Sequence, residues 1–168
     1  MPGTVFTAID FETADQGRDS ACAVAAVVVA DDVVVDRYST LIRPPRERML
    51  FSHIHGLCWE DVCDSPDFAG IWPVLRKYLV CSDFLVAHNA PFDRGVLLAC
   101  CAAAGVASPR KRFACTVDAA RKTWRLPRNR LPDVCRHLGI ALNHHDALSD
   151  AEACARIAIA ARQAGTAL

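Results

Sequence analysis

The sequence predicts an α/β fold in which a mixed five-stranded sheet is flanked by helices. Three runs with strand character come first, and short strands then alternate with helical patterns. A hairpin signal between the second and third runs indicates that the sheet starts antiparallel. We expect one domain, residues 1–168, because a chain of 168 residues supports one substantial core.

The first three predicted strands are rich in valine, alanine and isoleucine. Residues 4–11 predict a central strand. Residues 21–30 and 33–42 predict the next two, with Asp31-Asp32 as the turn between them. The third strand ends at Pro44-Pro45, since proline cannot donate to a ladder.

The middle of the chain is irregular before it becomes helical. Residues 46–65 show no clear period, whereas Ser65-Pro66 is typical of an N-cap followed by a helix-starting proline. Apolar residues then recur at helical spacing, at Phe68, Ile71, Trp72, Leu75 and Leu79. We interpret them as core residues of one helix.

The second half of the sequence alternates between strands and helices. The predicted elements are a strand at 84–88, a helix from Asn89 to Gly105, a strand at 113–116, helices at about 117–124 and 131–138, and a long amphipathic helix from about Asp146. This alternation predicts parallel strands in the second half of the sheet.

The composition is that of an ordinary globular protein, with 52% hydrophobic and 23% charged residues. The most apolar run, 21–30, is too short to span a bilayer, and the N-terminus has no secretory signal. The nine cysteines form no C-x-x-C pair, and several lie in apolar contexts, which favours reduced, buried thiols. We therefore expect a cytoplasmic protein that makes no membrane contact.

Two local features bear on the binding of zinc and of a polyanion, but neither decides the question. A zinc site would need ligands from His53, His55, Cys58 and Cys63, but their spacing matches no common site. Residues 109–136 carry nine basic and two acidic side chains in a chain whose formal net charge is zero. This basic segment is compatible with a polyanionic substrate or with a solvated helical face.

Two carboxylates follow the apolar part of the first strand. Asp10 and Glu12 point to the same face, because side chains at i and i+2 share a face of a strand. Like charges that lie so close raise the pKa of each other, and a bound cation relieves the repulsion. From this pair alone, a metal site and two exposed loop charges are equally compatible with the sequence.

Three more candidate residues lie at helix starts. Asp93 is in the first turn of the helix after strand 84–88, where α/β sheets place ligands, although it could instead favour the helix dipole. Asp150 lies one turn into the last helix, five residues after His145. His145 could face the same cavity or be an exposed loop residue, as we expect its neighbour His144 to be.

Together these residues resemble the three exonuclease motifs of the DEDDh family, which includes the proofreading epsilon subunits of bacterial DNA polymerase III. The motifs are Asp10-x-Glu12, His88-Asn89-x-x-Phe92-Asp93 and His145-x-Ala147-x-x-Asp150. The stretches Ile54–Leu57, Cys115–Arg121 and Leu131–Ile140 also resemble the family, in its order and at its spacings. The resemblance covers residues 4–162.

The resemblance implies a ribonuclease H-like fold and a 3′→5′ exonuclease. It implies two divalent ions, Mg²⁺ or Mn²⁺, held by Asp10, Glu12, Asp93 and Asp150, with His145 as the general base. It further implies substrate contacts from Glu12, from the backbone near Phe11 and Thr13, and from His55, His88 and Asn89. Oxygen ligands do suit hard, partly hydrated cations, and a histidine suits proton removal near neutral pH.

The expected function is metal-dependent release of nucleoside monophosphates from single-stranded 3′ ends, DNA more readily than RNA. The alternatives are an exoribonuclease that acts on RNA 3′ ends or short oligoribonucleotides, and a nucleic-acid-binding polymerase accessory module. The chain ends at Leu168 without a long tail after the last helix, which favours a free-standing nuclease. Association with a DNA polymerase stays open as an alternative.

Overall fold

The computed structural model describes residues 3–168, which form five strands and seven helices. The strands are β1 Val5–Thr13, β2 Ala21–Ala30, β3 Val33–Leu41, β4 Phe84–Ala87 and β5 Phe113–Cys115. The helices are α1 Ser52–His55, α2 Trp59–Val62, α3 Phe68–Val80, α4 Ala90–Ala103, α5 Thr116–Thr123, α6 Leu131–Leu138 and α7 Ala147–Gln163. Within these residues no helix has both the length and the apolar character needed to cross a bilayer.

The predicted fold class is confirmed. The sheet has the order β3-β2-β1-β4-β5. β1 pairs antiparallel with β2 and parallel with β4, so the sheet is mixed and β1 is its centre. Because β1 and β4 are parallel, both end at the same edge of the sheet, and the chain segments that follow them meet there.

Two local predictions differ from the structure. The segment predicted to be irregular contains α1 and α2, which are four residues each; α1 buries no residue and α2 buries only Val62. Such short helices leave no amphipathic period in a sequence. α3 is capped by Asp67, whose carboxylate accepts from the Gly70 amide at 2.9 Å, and not by Ser65.

Alternate residues of β1 face two different helical layers. Ile9 and Phe11 pack with α3 and α4 on one face of the sheet. Phe6 and Ala8 pack with α7 on the other. Since side chains alternate along a strand, the next residues in the Phe6–Ala8 series, Asp10 and Glu12, leave β1 on the α7 face.

The face of α7 that covers the sheet is made of small side chains, which allow a close approach of helix and sheet. They are Ala147, Ala151, Cys154, Ala155 and Ala158, all buried. Two ion pairs hold α7 to the β2–β3 hairpin, Glu152 with Arg37 and Arg162 with Asp32, the latter at 2.7 Å. The two turn residues, Asp31 and Asp32, have φ of 51° and 60°, as a two-residue type I′ turn requires.

One arginine closes the loop that follows β1. The Arg46 guanidinium donates to both carboxylate oxygens of Asp15, at 2.8 and 3.1 Å, and to both oxygens of Asp19, at 3.0 and 2.7 Å. The side-chain hydrogen bonds from Arg46 lower the pKa of Asp15 and that of Asp19. The loop therefore returns tightly from the end of β1 to the start of β2.

Replacing Arg46 by alanine is expected to lower the free energy of unfolding by about 0.5–1 kcal/mol at pH 7, because Arg46 is partly exposed and its ion pairs are screened by water. Since the pKa of Asp15 is lowered in the folded state, this contribution is present above about pH 4 and is lost as the pH falls below it. Urea unfolding of R46A between pH 3 and 7 measures the change. The exposed neighbour Arg48, replaced by alanine, is the matched control. If the loss of unfolding free energy in R46A stayed constant down to pH 3, the stabilisation could not come from the pairing of Arg46 with ionised Asp15.

Candidate active site

Three of the predicted carboxylates converge at the carboxyl edge of β1. One carboxylate oxygen from each of Asp10, Glu12 and Asp150 lies within 4.8 Å of the others. Asp10 and Glu12 reach this point from the α7 face of β1, and Asp150 reaches it from the first turn of α7. The strand alternation and the helix position that predicted this meeting are both present in the structure.

Asp93 joins the cluster from the opposite helical layer. The chain turns from β4 into α4 through Asn89, which has a left-handed φ of 74°. Asp93 is then in the first turn of α4 and is only 2% exposed. Its Oδ1 accepts a hydrogen bond from the backbone amide of Phe11 at 3.1 Å. This contact ties Asp93 to β1 at the residue between Asp10 and Glu12.

Burial and mutual repulsion keep protons on this cluster. Burial raises the pKa of Asp10 well above its usual value, and the neighbouring carboxylates, Asp93 foremost, raise it further. Burial, followed by repulsion from Asp150, raises the pKa of Glu12 to about 8. Burial also raises the pKa of Asp93 to about 8, although the Phe11 amide opposes the shift. The four carboxylates cannot all ionise at neutral pH unless positive charge is added.

The cluster fits a hard divalent cation. The pKa of Asp150 is raised by burial, while the His145 amide and His144 oppose that shift. Asp150 Oδ1 is buried and has no hydrogen-bond partner among residues 3–168. An unpaired buried carboxylate oxygen is costly, and a cation would satisfy it. An all-carboxylate set of oxygen ligands suits Mg²⁺ or Mn²⁺ better than a soft metal.

His145 borders the cluster with a free side chain. Its backbone is left-handed, with a φ of 69°, and its amide donates to Asp150 Oδ2 at 3.1 Å. Within the described part of the chain its ring nitrogens make no hydrogen bond, and burial lowers its pKa below the usual value of 6.5. A neutral imidazole with an unoccupied nitrogen can accept a proton.

His144 is the exposed loop residue that we expected, and its ring also makes two contacts at the site. Its Nδ1 lies 2.8 Å from Asp150 Oδ2, and its ring stacks on that of His145 with a centroid distance of 3.7 Å and an interplanar angle of 22°. The sequence did not predict these contacts, because the hydrophobic pattern does not determine the orientation of a side chain in a loop.

His55, predicted to contact the substrate, is held by backbone groups on both sides of its ring. Because a carbonyl only accepts, His55 Nε2 donates to Thr13 O at 3.2 Å, and Nδ1 accepts from the Leu57 amide at 3.1 Å. Burial lowers the pKa of His55, in agreement with a neutral ring. His55 therefore anchors the loop after α1 to the end of β1, and only its ring surface can meet a ligand.

His88, also predicted to contact the substrate, is occupied in the same way. Its Nε2 donates to Asn129 O at 3.0 Å, and Nδ1 then accepts from the Thr116 hydroxyl at 2.8 Å. Burial lowers the pKa of His88 to about 4, so the ring is neutral at physiological pH. His88 joins the end of β4 to the loop between α5 and α6.

Two cavities open on opposite sides of the carboxylates and share Glu12, His144 and His145. The β3-side pocket, of about 470 Å³, is also lined by Thr40, Ile54, His55 and Asp146. The α6-side pocket, of about 540 Å³, is also lined by Asp10, His88, Phe92, Asp150, Arg121 and Arg130.

The remaining predicted substrate contacts lie at the same edge of the sheet. Phe11 and Asn89 line the α6-side pocket. Thr13 is 8% exposed, and its carbonyl is the one taken by His55. The structure therefore brings every predicted site residue to one edge of the sheet. The ring nitrogens of His55 and His88, however, are hydrogen-bonded to other groups of the protein.

The family model described as Exonuclease matches residues 7–158. The chain belongs to the exonuclease family. It is 30% identical over 156 residues to the PolC-type DNA polymerase III of Thermotoga petrophila and 31% identical over 153 residues to that of Oceanobacillus iheyensis. These alignments cover 90% and 88% of this chain but only 11% of each polymerase. The predicted membership in the DEDDh exonucleases is confirmed.

Solved structures agree with this assignment. Exonuclease X in complex with 5′ overhanging duplex DNA is 26% identical, with a TM-score of 0.77 over 94% of this chain and 91% of that one. The nuclease domain of 3′hExo, a DEDDh family member bound to rAMP, has a TM-score of 0.81 at 16% identity, over 97% of this chain and 94% of that one. The second likeness concerns the fold alone. The predicted ribonuclease H-like architecture is confirmed.

In the absence of divalent ions, the protein is expected to lose stability as the pH rises from about 4.5 to 8. The folded state holds protons on Glu12 and Asp93, each with a pKa of about 8, which the unfolded chain releases at lower pH. Replacing Asp10 by asparagine removes one of the repelling charges. We expect D10N to be more stable than the wild type by the order of 1 kcal/mol at pH 8 and to lose less stability between pH 5 and 8.

Urea unfolding in EDTA at pH 5, 6.5 and 8 measures this difference. Asp118→Asn, an exposed aspartate of α5, is the control and should follow the wild type. If the free energy of unfolding depended on pH in the same way for the wild type and D10N, the carboxylates would not repel each other.

Proposed function

We propose that this chain is a metal-dependent 3′→5′ exonuclease that releases nucleoside monophosphates from single-stranded DNA ends. The observation that carries the proposal is the convergence of the Asp10, Glu12 and Asp150 carboxylates, with Asp93 bonded to the Phe11 amide beside them and Asp150 Oδ1 buried without a hydrogen-bond partner among residues 3–168. In this proposal Asp10, Glu12, Asp93 and Asp150 hold two divalent ions, Mg²⁺ or Mn²⁺. When bound, such ions stabilise the charge that develops on a phosphodiester during hydrolysis.

The protein's own contribution to the reaction is a proton acceptor beside this site. An unprotonated ring nitrogen of His145 takes the proton of the attacking water. The bond from the His145 amide to Asp150 keeps the residue next to the carboxylates. His55 and His88 are less suited to this role, because both of their ring nitrogens are already occupied.

The charges of the two pockets favour one direction for a bound strand. Glu12 lines both pockets. The α6-side pocket adds Asp10 and Asp150 together with Arg121 and Arg130, whereas the β3-side pocket adds Asp146 and has no lysine or arginine among its lining residues. A strand has one phosphate per internal nucleotide, and its terminal nucleoside ends in a neutral hydroxyl. We therefore infer that the phosphates follow the arginines and that the terminal nucleoside enters the β3-side pocket.

DNA is proposed as the substrate on the strength of the relatives. Those that share 30% and 31% identity are named as DNA polymerases, and the solved structure with 26% identity holds DNA. Because the chain spans 11% of those polymerases, a role in proofreading does not transfer with the likeness. RNA is the alternative substrate, and the 2′-hydroxyl is the group that distinguishes the two.

The proposal is tested with DNA and RNA strands of one sequence, labelled at the 3′ or the 5′ end and incubated with Mg²⁺ or Mn²⁺. We expect release of labelled mononucleotides from the 3′ end at once and progressive shortening of the 5′-labelled strand. Chelation should stop the reaction, and Asp10→Ala should lower the rate by more than about 100-fold, because losing a carboxylate that the ions need costs more than losing one of its outer partners.

Asp64→Asn, at an exposed aspartate that lines neither pocket, serves as the control variant and should cleave at the wild-type rate. Immediate release of mononucleotides from the 5′ end would overturn the polarity, and faster loss of RNA would overturn the choice of DNA. Binding of strands without cleavage under any metal would favour the accessory-module alternative.

Arg130→Ala is expected to weaken binding of single-stranded DNA and to reduce the dependence of log Kd on log salt concentration by about 0.7, the contribution of one phosphate contact in a single strand. Titration of Asp10→Ala protein, with and without the arginine change, at several salt concentrations measures this without cleavage. Lys122→Ala is the matched control, because Lys122 is exposed on α5 but does not line the pocket. An equal effect of both changes would show that the attraction is general rather than tied to the α6-side pocket.

A further inference from the structure

We propose that His144 is a positioning residue of the active site, which fixes the orientation of Asp150 and supports the ring of His145. The inference rests on the proposed function and assigns a role to a residue outside the five DEDDh positions. It is carried by two contacts of the same ring, one through Nδ1 and one through its face.

The first contact acts on the carboxylate. His144 Nδ1 is 2.8 Å from Asp150 Oδ2, and since an ionised carboxylate only accepts, Nδ1 is the donor. The same oxygen also accepts from the His145 amide, which leaves Oδ1 as the unpaired buried atom. The last torsion of an aspartate is soft, so hydrogen bonds from outside must fix which oxygen faces the site. His144 supplies one of the two bonds that do so.

The second contact acts on the proposed base. The His145 ring makes no hydrogen bond within residues 3–168, and its backbone has a left-handed φ that few residues other than glycine adopt. The His144 ring lies against it at a centroid distance of 3.7 Å and nearly parallel. A flat surface at this distance limits rotation of the His145 ring without occupying either nitrogen, so its ability to take a proton is kept.

The two contacts can be separated by substitution. His144→Asn places an amide donor near the position of Nδ1 and removes the ring. His144→Phe keeps a flat ring and removes the donor. Circular dichroism and thermal unfolding in EDTA establish that each variant is folded. The same two substitutions at His53, an exposed histidine that lines neither pocket, are the controls.

The first measurement is Mn²⁺ affinity by calorimetry on the free protein, which requires no activity. We expect H144F to bind Mn²⁺ about tenfold more weakly, the usual cost of losing a partner that orients a metal ligand, and H144N to bind within about twofold of the wild type. The second is the single-turnover rate at saturating Mn²⁺, where H144N is expected to be about tenfold slower and H144F close to the wild type.

The outcomes distinguish this inference from the function on which it rests. Wild-type protein that neither binds Mn²⁺ nor cleaves a strand would overturn both. Wild-type protein that does both, with H144F binding Mn²⁺ as tightly as the His53 controls, would overturn the role of His144 alone. An equal loss of Mn²⁺ affinity in H144N and H144F would also overturn it, because it would show that His144 is itself a metal ligand.

Discussion

Repulsion between carboxylates that are crowded at one edge of the sheet is the constraint on which the site depends. Asp10, Glu12, Asp93 and Asp150 come from one strand and two helices on opposite faces of the sheet. Only part of their charge is met by the protein, through the Phe11 amide on Asp93 and two donors on Asp150. The proposed divalent ions would neutralise the remaining negative charge.

Strand alternation and helix position made most of this site predictable from the sequence. Asp10 and Glu12 share a face because a strand has a period of two, and Asp93 and Asp150 follow from the starts of strongly patterned helices. The partners of His55, His88 and His144 could not be predicted. Each is in or beside a loop, where the direction of a side chain depends on contacts distant in sequence.

The four histidines near the cluster differ in the hydrogen bonds that their rings make, and so in the roles that they can have. Two of them, His55 and His88, have both ring nitrogens occupied by protein groups and are held neutral. His144 donates to a carboxylate, and among these four histidines only His145 has a ring without a hydrogen bond to residues 3–168. Hydrogen-bond occupancy therefore distinguishes the two histidines that hold the structure from His145, the residue that the sequence motifs single out as the base.

Of the two ion pairs that hold α7 to the β2–β3 hairpin, one lies beside the site, at Glu152, and the other lies far from it, at Arg162. A helix of 17 residues is about 26 Å long, and Asp150 is near one end while Arg162 is near the other. The small side chains on the face of α7 that covers the sheet let the helix lie close against it. The Arg162–Asp32 pair ties the far end of α7 to the turn between β2 and β3, so the helix that presents Asp150 is held to the hairpin near both of its ends.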